Sequence, residues 1–452
     1  MDDGSPHVDT LAYLDSVPPE ILFRIFRDTL HVDVPTNYVR QLVVITQVCN
    51  HWRAVALEYQ YLWTYISLPC HQGYLETALQ RSGNSPLRLF CPFSHENSSG
   101  FSFLSTSSSL GSGLSRILQE APRIRQLYLG TPKALSLTAI SSFQSLEKLT
   151  IASTGDEYTH IDLELDQLKA LLRSLPRLSF LKLPVYSKDR KLSLKNIEHI
   201  GHEKDLDMIS LPNLRELELE GYGVPCLLLL NSLVFPPHTM ITMNNVRWKY
   251  PYSGAFILPT VLSILMTRCS WKFDIFELRR DGKNYQICCG YTPSDGSERR
   301  HALNFAIPAT DQLLREVCNS LQVSLDSVTE LILCNLHATT DEENFGEIVG
   351  IIGGFHQIHV LWFIKCTVAN IDRLLGKLAE DRQPFQLDDL SIVEPDLRTC
   401  PARTTHDSAD CTNCIIRLKN VIERSLGRPL PYLWIQSKYR MKTKNLRFLL
   451  EP

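Results

Sequence analysis

One short pattern returns along most of this chain and limits what the chain can fold into. Seven segments carry an apolar residue followed, three and five positions later, by a leucine and another apolar residue. They are APRIRQLYLG, FQSLEKLTI, LPRLSFLKLP, LPNLRELELEG, DSVTELILCN, FHQIHVLWFI and QLDDLSIVE, with central leucines Leu127, Leu149, Leu181, Leu217, Leu331, Leu361 and Leu390. A leucine and an apolar residue two positions apart share one face of a strand, so each segment predicts a half-buried strand. Successive leucines are 22, 32, 36, 114, 30 and 29 residues apart. Most of these intervals hold one strand and one helix, and the long one leaves room for about three units in which the pattern has decayed. Leu114–Glu120, Leu165–Leu175, Leu258–Met266, Asp311–Leu321, Glu342–Ile352 and Val368–Leu378 supply the helices, each with apolar residues three and four apart.

Strands of this form with intervening helices resemble leucine-rich repeats, which implies units stacked into an irregular α/β solenoid. The asparagine that follows such strands appears clearly only as Asn335. LWTYISL and PLRLFC mark a start of the array before Leu127. Residues 236–308 are expected to be its least regular section, because WKFDIFELRRDGKNYQICCG reads as two strands joined at Asp281-Gly282. Eight serines within residues 98–113 predict an exposed loop. Tyr128, Lys182, Glu218 and Trp362 alternate with the core leucines and would share the open face of the sheet. They read as recognition residues for a protein client or as ordinary exposed strand residues.

The first seventy residues follow a different period. In LDSVPPEILFRIFRDTL, residues 14–30, Asp15 or Ser16 offers a cap, the two prolines suit a helix start, and Glu20 sits in the first turn. Ile21, Leu22, Ile25, Phe26 and Leu30 then fall on one face. After the breaker Pro35, a second helical pattern runs through Leu42, Ile45, Cys49, Trp52, Val55, Ala56 and Tyr59. Periodicity alone gives a small helical hairpin.

The residues VPPEILFRIF, QVCNHWRAVALEY and LWTYISL resemble the F-box, in the form common in mushroom-forming fungi. Pro18, Pro19, Glu20, Ile21, Leu22, Ile25 and Phe26 match its first helix. Val48, Cys49, Trp52 and Arg53 match the later helix, and Leu62 and Trp63 the closing motif; Val17 stands where leucine is usual. The resemblance implies a Skp adaptor bound through Pro18, Pro19, Ile21, Leu22, Ile25, Phe26, Val48, Cys49 and Trp52. That adaptor would lead to a cullin, and the rest of the chain would select an unknown protein client for ubiquitination. A three-helix module this short does not bury all of its apolar surface alone. Trp52 and Phe26 read as anchors of the resulting interface, Trp52 alternatively as internal core. The expected fold is α+β: a disordered tail over 1–11, a small three-helix F-box over 12–69, and an irregular leucine-rich-repeat-like α/β solenoid over 70–452. The expected role is substrate receptor; the alternative is a Skp-binding scaffold acting outside ubiquitin ligation.

Composition removes other classes. The 452 residues are 44% hydrophobic with a net charge of −3, too apolar for a disordered chain and too balanced to call for nucleic acid or an anionic membrane. MDDGSPHVDT lacks the regions of a secretory signal, and the most apolar run, 225–237, is about half of what a bilayer requires. Thirteen cysteines, mostly single within apolar segments, point to a reducing compartment, cytoplasm or nucleus. No phosphate loop, nucleophile elbow or H-E-x-x-H pair is present, and GIIGGF at 350–355 runs from helix to strand, the reverse of a pyrophosphate cradle. Neither catalysis nor a cofactor is expected. Cys400, His406, Cys411 and Cys414 offer zinc ligands, but as one knuckle plus a polar loop, so a loop followed by a helix is the preferred reading.

Charge is segregated along the chain. Residues 1–70 hold four Lys/Arg against eight Asp/Glu, and residues 415–452 nine against two. The basic end, interleaved with Tyr432, Trp434, Tyr439 and Phe448, would suit phosphorylated clients or nucleic-acid phosphates, or simply caps the last repeat.

Overall fold

The structure is a computed structural model. It describes residues 17–30, 35–68, 70–91, 115–130, 137–152, 165–185, 208–247, 251–292, 300–336, 357–367, 389–393, 432–436 and 446–449, with isolated positions at 113, 348, 350–352, 355, 370, 371, 373–376 and 420. The chain mixes helix and strand and divides into two compact units, Met1–Pro184 with Leu211–Leu214, and Val185–Ser210 with Arg215–Pro452.

The first unit opens with helices α1 (Pro19–Thr29), α2 (Pro35–Val48) and α3 (Asn50–Glu58) and a 3-10 turn, Gln60–Trp63. Pro18 is the N-cap of α1 and Pro19 its first residue, so the missing proline N–H falls where no helical bond is lost. No side chain caps this helix; Asp15 and Ser16 lie outside the described residues. The helix expected from the apolar pattern between Leu42 and Tyr59 is interrupted at Cys49, whose backbone is extended (φ −155°, ψ 173°). Its Sγ accepts from the Trp52 N–H at 3.4 Å and so caps α3.

Strands β1 (Tyr65–Ser67), β2 (Leu87–Cys91), β3 (Ile124–Leu129), β4 (Lys148–Ile151) and β5 (Phe180–Val185) follow, with helices α4 (Gln72–Arg81), α5 (Leu137–Ile140) and α6 (Leu165–Arg173) among their connections. Neighbours in sequence pair in parallel throughout. Their register aligns Ile66, Leu89, Leu127, Leu149 and Leu181 in one cross-strand row, each no more than 2% exposed. Burying a row of leucines on one face is what pins the register, since a slip by one residue would turn all of them to solvent.

The second unit contains β6 (Ile209–Ser210), β7 (Glu216–Tyr222), α7 (Gly223–Ser232), β8 (Leu233–Val234), β9 (Met240–Arg247), α8 (Pro251–Cys269), β10 (Ile275–Asp281), β11 (Asn284–Tyr291), β12 (Arg300–Pro308), α9 (Asp311–Leu325), β13 (Glu330–Cys334), β14 (Val360–Ile364), β15 (Asp389–Val393), β16 (Tyr432–Gln436) and β17 (Leu446–Leu449). Its sheet runs β7-β9-β12-β11-β10-β13-β14-β15-β16-β17, and β6 pairs only with β8. Leu331, Leu361 and Leu390 again share one row and are fully buried.

The long interval between Leu217 and Leu331 holds something other than three decayed repeats. After the parallel strand β9 and helix α8, strands β10, β11 and β12 form an antiparallel meander. Its hairpin closes at Asp281 and Asn284 around Gly282, which takes φ +56°. At the bulge between β11 and β12, Gly290 passes so near β12 that a Cβ there would lie 2.5 Å from the Arg300 carbonyl oxygen. The meander enters the sheet in reverse: β12 pairs in parallel with β9, and β10 with β13. Helix α7, the CLLLL run, is buried over eight of its ten residues. Among the described residues, no helix is long and apolar enough to cross a membrane.

Candidate functional site

The three helices and the 3-10 turn are locked by a few specific contacts. Leu22, Phe26 and Leu30 of the first helix segment, Tyr38, Leu42 and Ile45 of α2, and Val55 and Ala56 of α3 form the interior. Leu62 and Trp63 close it: the indole N–H of Trp63 donates to the Ala56 carbonyl at 2.9 Å, and the Tyr38 hydroxyl donates to the Leu62 carbonyl at 3.0 Å. The Arg81 guanidinium lies over the Trp63 ring at 5.3 Å. His51 Nε2–H donates to the Val17 carbonyl at 2.9 Å and ties α3 to the start of α1.

Most of the large apolar side chains that stay exposed belong to this module. Ile21 (44% exposed), Ile25 (45%), Val43 (46%), Val44 (54%), Val48 (42%) and Tyr61 (39%) are six of the seven exposed large hydrophobics among the described residues; the seventh is Val234.

The residues that the sequence nominates for adaptor contact separate into three groups. Pro18, Pro19, Ile21, Ile25 and Val48 are exposed. Leu22 and Phe26 are each 1% exposed and belong to the interior, so Phe26 is no solvent-facing anchor. Cys49 and Trp52 are half-buried, with Cys49 capping α3 and the Trp52 ring tilted against Phe26 at 5.0 Å. Sequence reasoning missed Val43 and Val44. Their signal is that they fall between Leu42 and Ile45, outside the three-and-four spacing of the buried face.

The four strand residues nominated for client contact divide two and two. In the first unit Tyr128 and Lys182 share a cross-strand row with Thr150 between them. In the second, Glu218 and Trp362 share a row with Thr242, Asn304, Cys288, Glu277 and Ile332 between them. All four are half-buried. Trp362 and Ile364 pack against the cluster of Ile275, Ile332 and Cys334, which makes this part of the second unit's open face apolar.

Ligand atoms of Glu277, Cys288 and His301 lie within 4.8 Å of one another. The same carboxylate receives the Arg279 guanidinium at 2.8 Å and the Cys334 thiol at 3.6 Å. Burial, then the Glu277 charge, pushes the Cys288 and Cys334 thiols up to about 12, so both stay protonated. The cluster is therefore an ion pair flanked by neutral thiols, and a cation there would compete with Arg279. Cys400, His406, Cys411 and Cys414, and the serine-rich stretch up to residue 112, lie outside the described residues.

Residues 14–69 match the family of F-box-like domains. The helical module is an F-box-like domain, contained in the first unit. No curated protein matches the chain as a relative.

Proposed function

We propose that this chain is the substrate-receptor subunit of a Skp–cullin–F-box ubiquitin ligase, with the F-box-like domain holding the Skp adaptor. The observation that carries the reading is that Ile21 and Ile25 of α1 and Val43, Val44 and Val48 of α2 all stay exposed on a domain whose own interior is already closed. Docking would cover these side chains, and the apolar area removed from water would drive it. F-box proteins are generally non-catalytic adaptors, and the chain would act by proximity, holding a client lysine beside the recruited enzymes.

The strand–helix units would form an irregular leucine-rich-repeat-like array whose open face presents the client. In-register rows of buried leucines with polar and aromatic residues alternating between them support this. The described cysteines are all free thiols, which suits cytoplasm or nucleus.

Capture of purified Skp adaptor by the full chain tests the docking half. The pair Ile25→Asp and Val44→Asp should weaken capture by at least about a hundredfold, since two charges would be desolvated at the interface centre. Unfolding temperature should hold, both sites being open to solvent. Undiminished capture by the folded variant refutes the docking face. Cullin co-purification with the wild-type chain separates a ligase receptor from an adaptor-bound scaffold.

A further inference from the structure

The open face of the first unit's sheet has a chemistry of its own. Two cross-strand rows lie on it: Tyr65, Arg88, Gln126, Lys148 and Phe180, and Ser67, Phe90, Tyr128, Thr150 and Lys182. Three of these ten positions are cations, four are aromatic and none is acidic; Tyr65 and Phe90 are buried, and Arg88 donates to the Tyr61 hydroxyl at 2.7 Å, which leaves Lys148, Lys182, Tyr128 and Phe180 to define the exposed part. The nearest acidic residue in β4's own sequence, Glu147, precedes the strand and sits 3.6 Å from Arg125 instead. Phe90 and Tyr128 stack at 4.4 Å, and Lys148 Nζ lies 6.0 Å from the Phe180 ring centre.

We infer that this face docks an extended, acidic segment of a protein client, its carboxylates meeting Lys148 and Lys182 and its apolar side chains lying on Tyr128 and Phe180. This rests on the receptor reading above and names the class of segment recognised. Strands about 4.8 Å apart and rows about 7 Å apart separate Lys148 from Lys182, one strand and one row away, by roughly 8–9 Å. Carboxylates two or three residues apart in an extended peptide have the same separation. A single phosphate would need donors that converge on one point, which dispersed cations do not provide. Two cations also neutralise few phosphates, and phosphate contacts dominate nucleic-acid binding.

The test uses the full chain bound to its adaptor and labelled twelve-residue probes. These are a repeat of Glu-Tyr-Glu-Leu, the same peptide with Gln for Glu, the Gln peptide with one phosphoserine, and a twelve-nucleotide oligouridylate. The Glu peptide should bind at least about tenfold more tightly than the Gln peptide at low salt, the gap closing at high ionic strength. The pair Lys148→Gln and Lys182→Gln should remove that gap, and Lys148→Arg with Lys182→Arg should keep it, adaptor capture being unchanged in both. Equal binding of the Glu and Gln peptides, an unaltered gap in the Gln pair, or tighter binding of the phosphoserine peptide or the oligouridylate overturns the inference. Adaptor capture is read in the same samples, so its failure with the Glu preference intact would sink the receptor reading and leave this surface standing.

Discussion

Leu361 and Trp362 are adjacent in β14 and face opposite ways. Leu361 is fully buried in the leucine row, whereas Trp362 is half-buried on the open face. The alternation follows from strand geometry alone, which is why the core leucines could be read before any fold was known. Leu361→Ala should lower stability by roughly 2–5 kcal/mol, a loss that denaturant unfolding would measure. Tryptophan and phenylalanine positions were harder to read. Phe26 and Ile25 are neighbours on a helix, and periodicity placed both on one apolar stripe. The structure buries Phe26 and leaves Ile25 at 45% exposure, because a stripe wider than the contact made by the neighbouring helices leaves its edge in water.

At the level of elements, the turns after β13 and β14 show how one local geometry is met by unlike residues. Asn335 takes φ +57° and donates its N–H to the Ile364 carbonyl at 2.8 Å; Lys365 takes φ +55° and donates to the Val393 carbonyl at 2.8 Å. Only the first was legible, since asparagine visits the left-handed region readily and lysine does so at a cost. Lys365→Asn should therefore raise stability, by roughly 0.5–1 kcal/mol, and calorimetry would detect it as a higher unfolding temperature. The break at Cys49 and the inverted meander were illegible for a different reason. The apolar spacing continues unbroken across Cys49, and nothing local marks β12 rather than β10 as the partner of β9.

Across the whole molecule, buried thiols give stability a direction in pH. Burial pushes Cys91, Cys288, Cys318, Cys334 and Cys366 up to about 12, and Cys70 and Cys269 up to about 11, from an ordinary 9.0. Burial moves the phenols of Tyr38, Tyr65 and Tyr74 upward as well. Unfolded thiols lose their protons near 9.0 while native ones keep theirs, so the native state is favoured below that value and loses ground as pH rises from 9.0 towards 12. Under reducing conditions the urea midpoint should hold between about pH 7 and 8 and fall steadily above about 9; a flat profile to pH 11 would contradict the burial of these groups. Sequence alone marked eleven of the seventeen described strands and several of the helices, because periods of 2 and 3.6 and the residues that start a helix are local properties, whereas the kind of N-terminal module was read from a family resemblance. Only the tertiary structure decided which aliphatic side chains stay in water, how β10 to β12 insert between β9 and β13, and which cations and rings share a row. Those depend on pairing and packing between segments far apart in the chain, and the same local pattern is compatible with more than one such pairing.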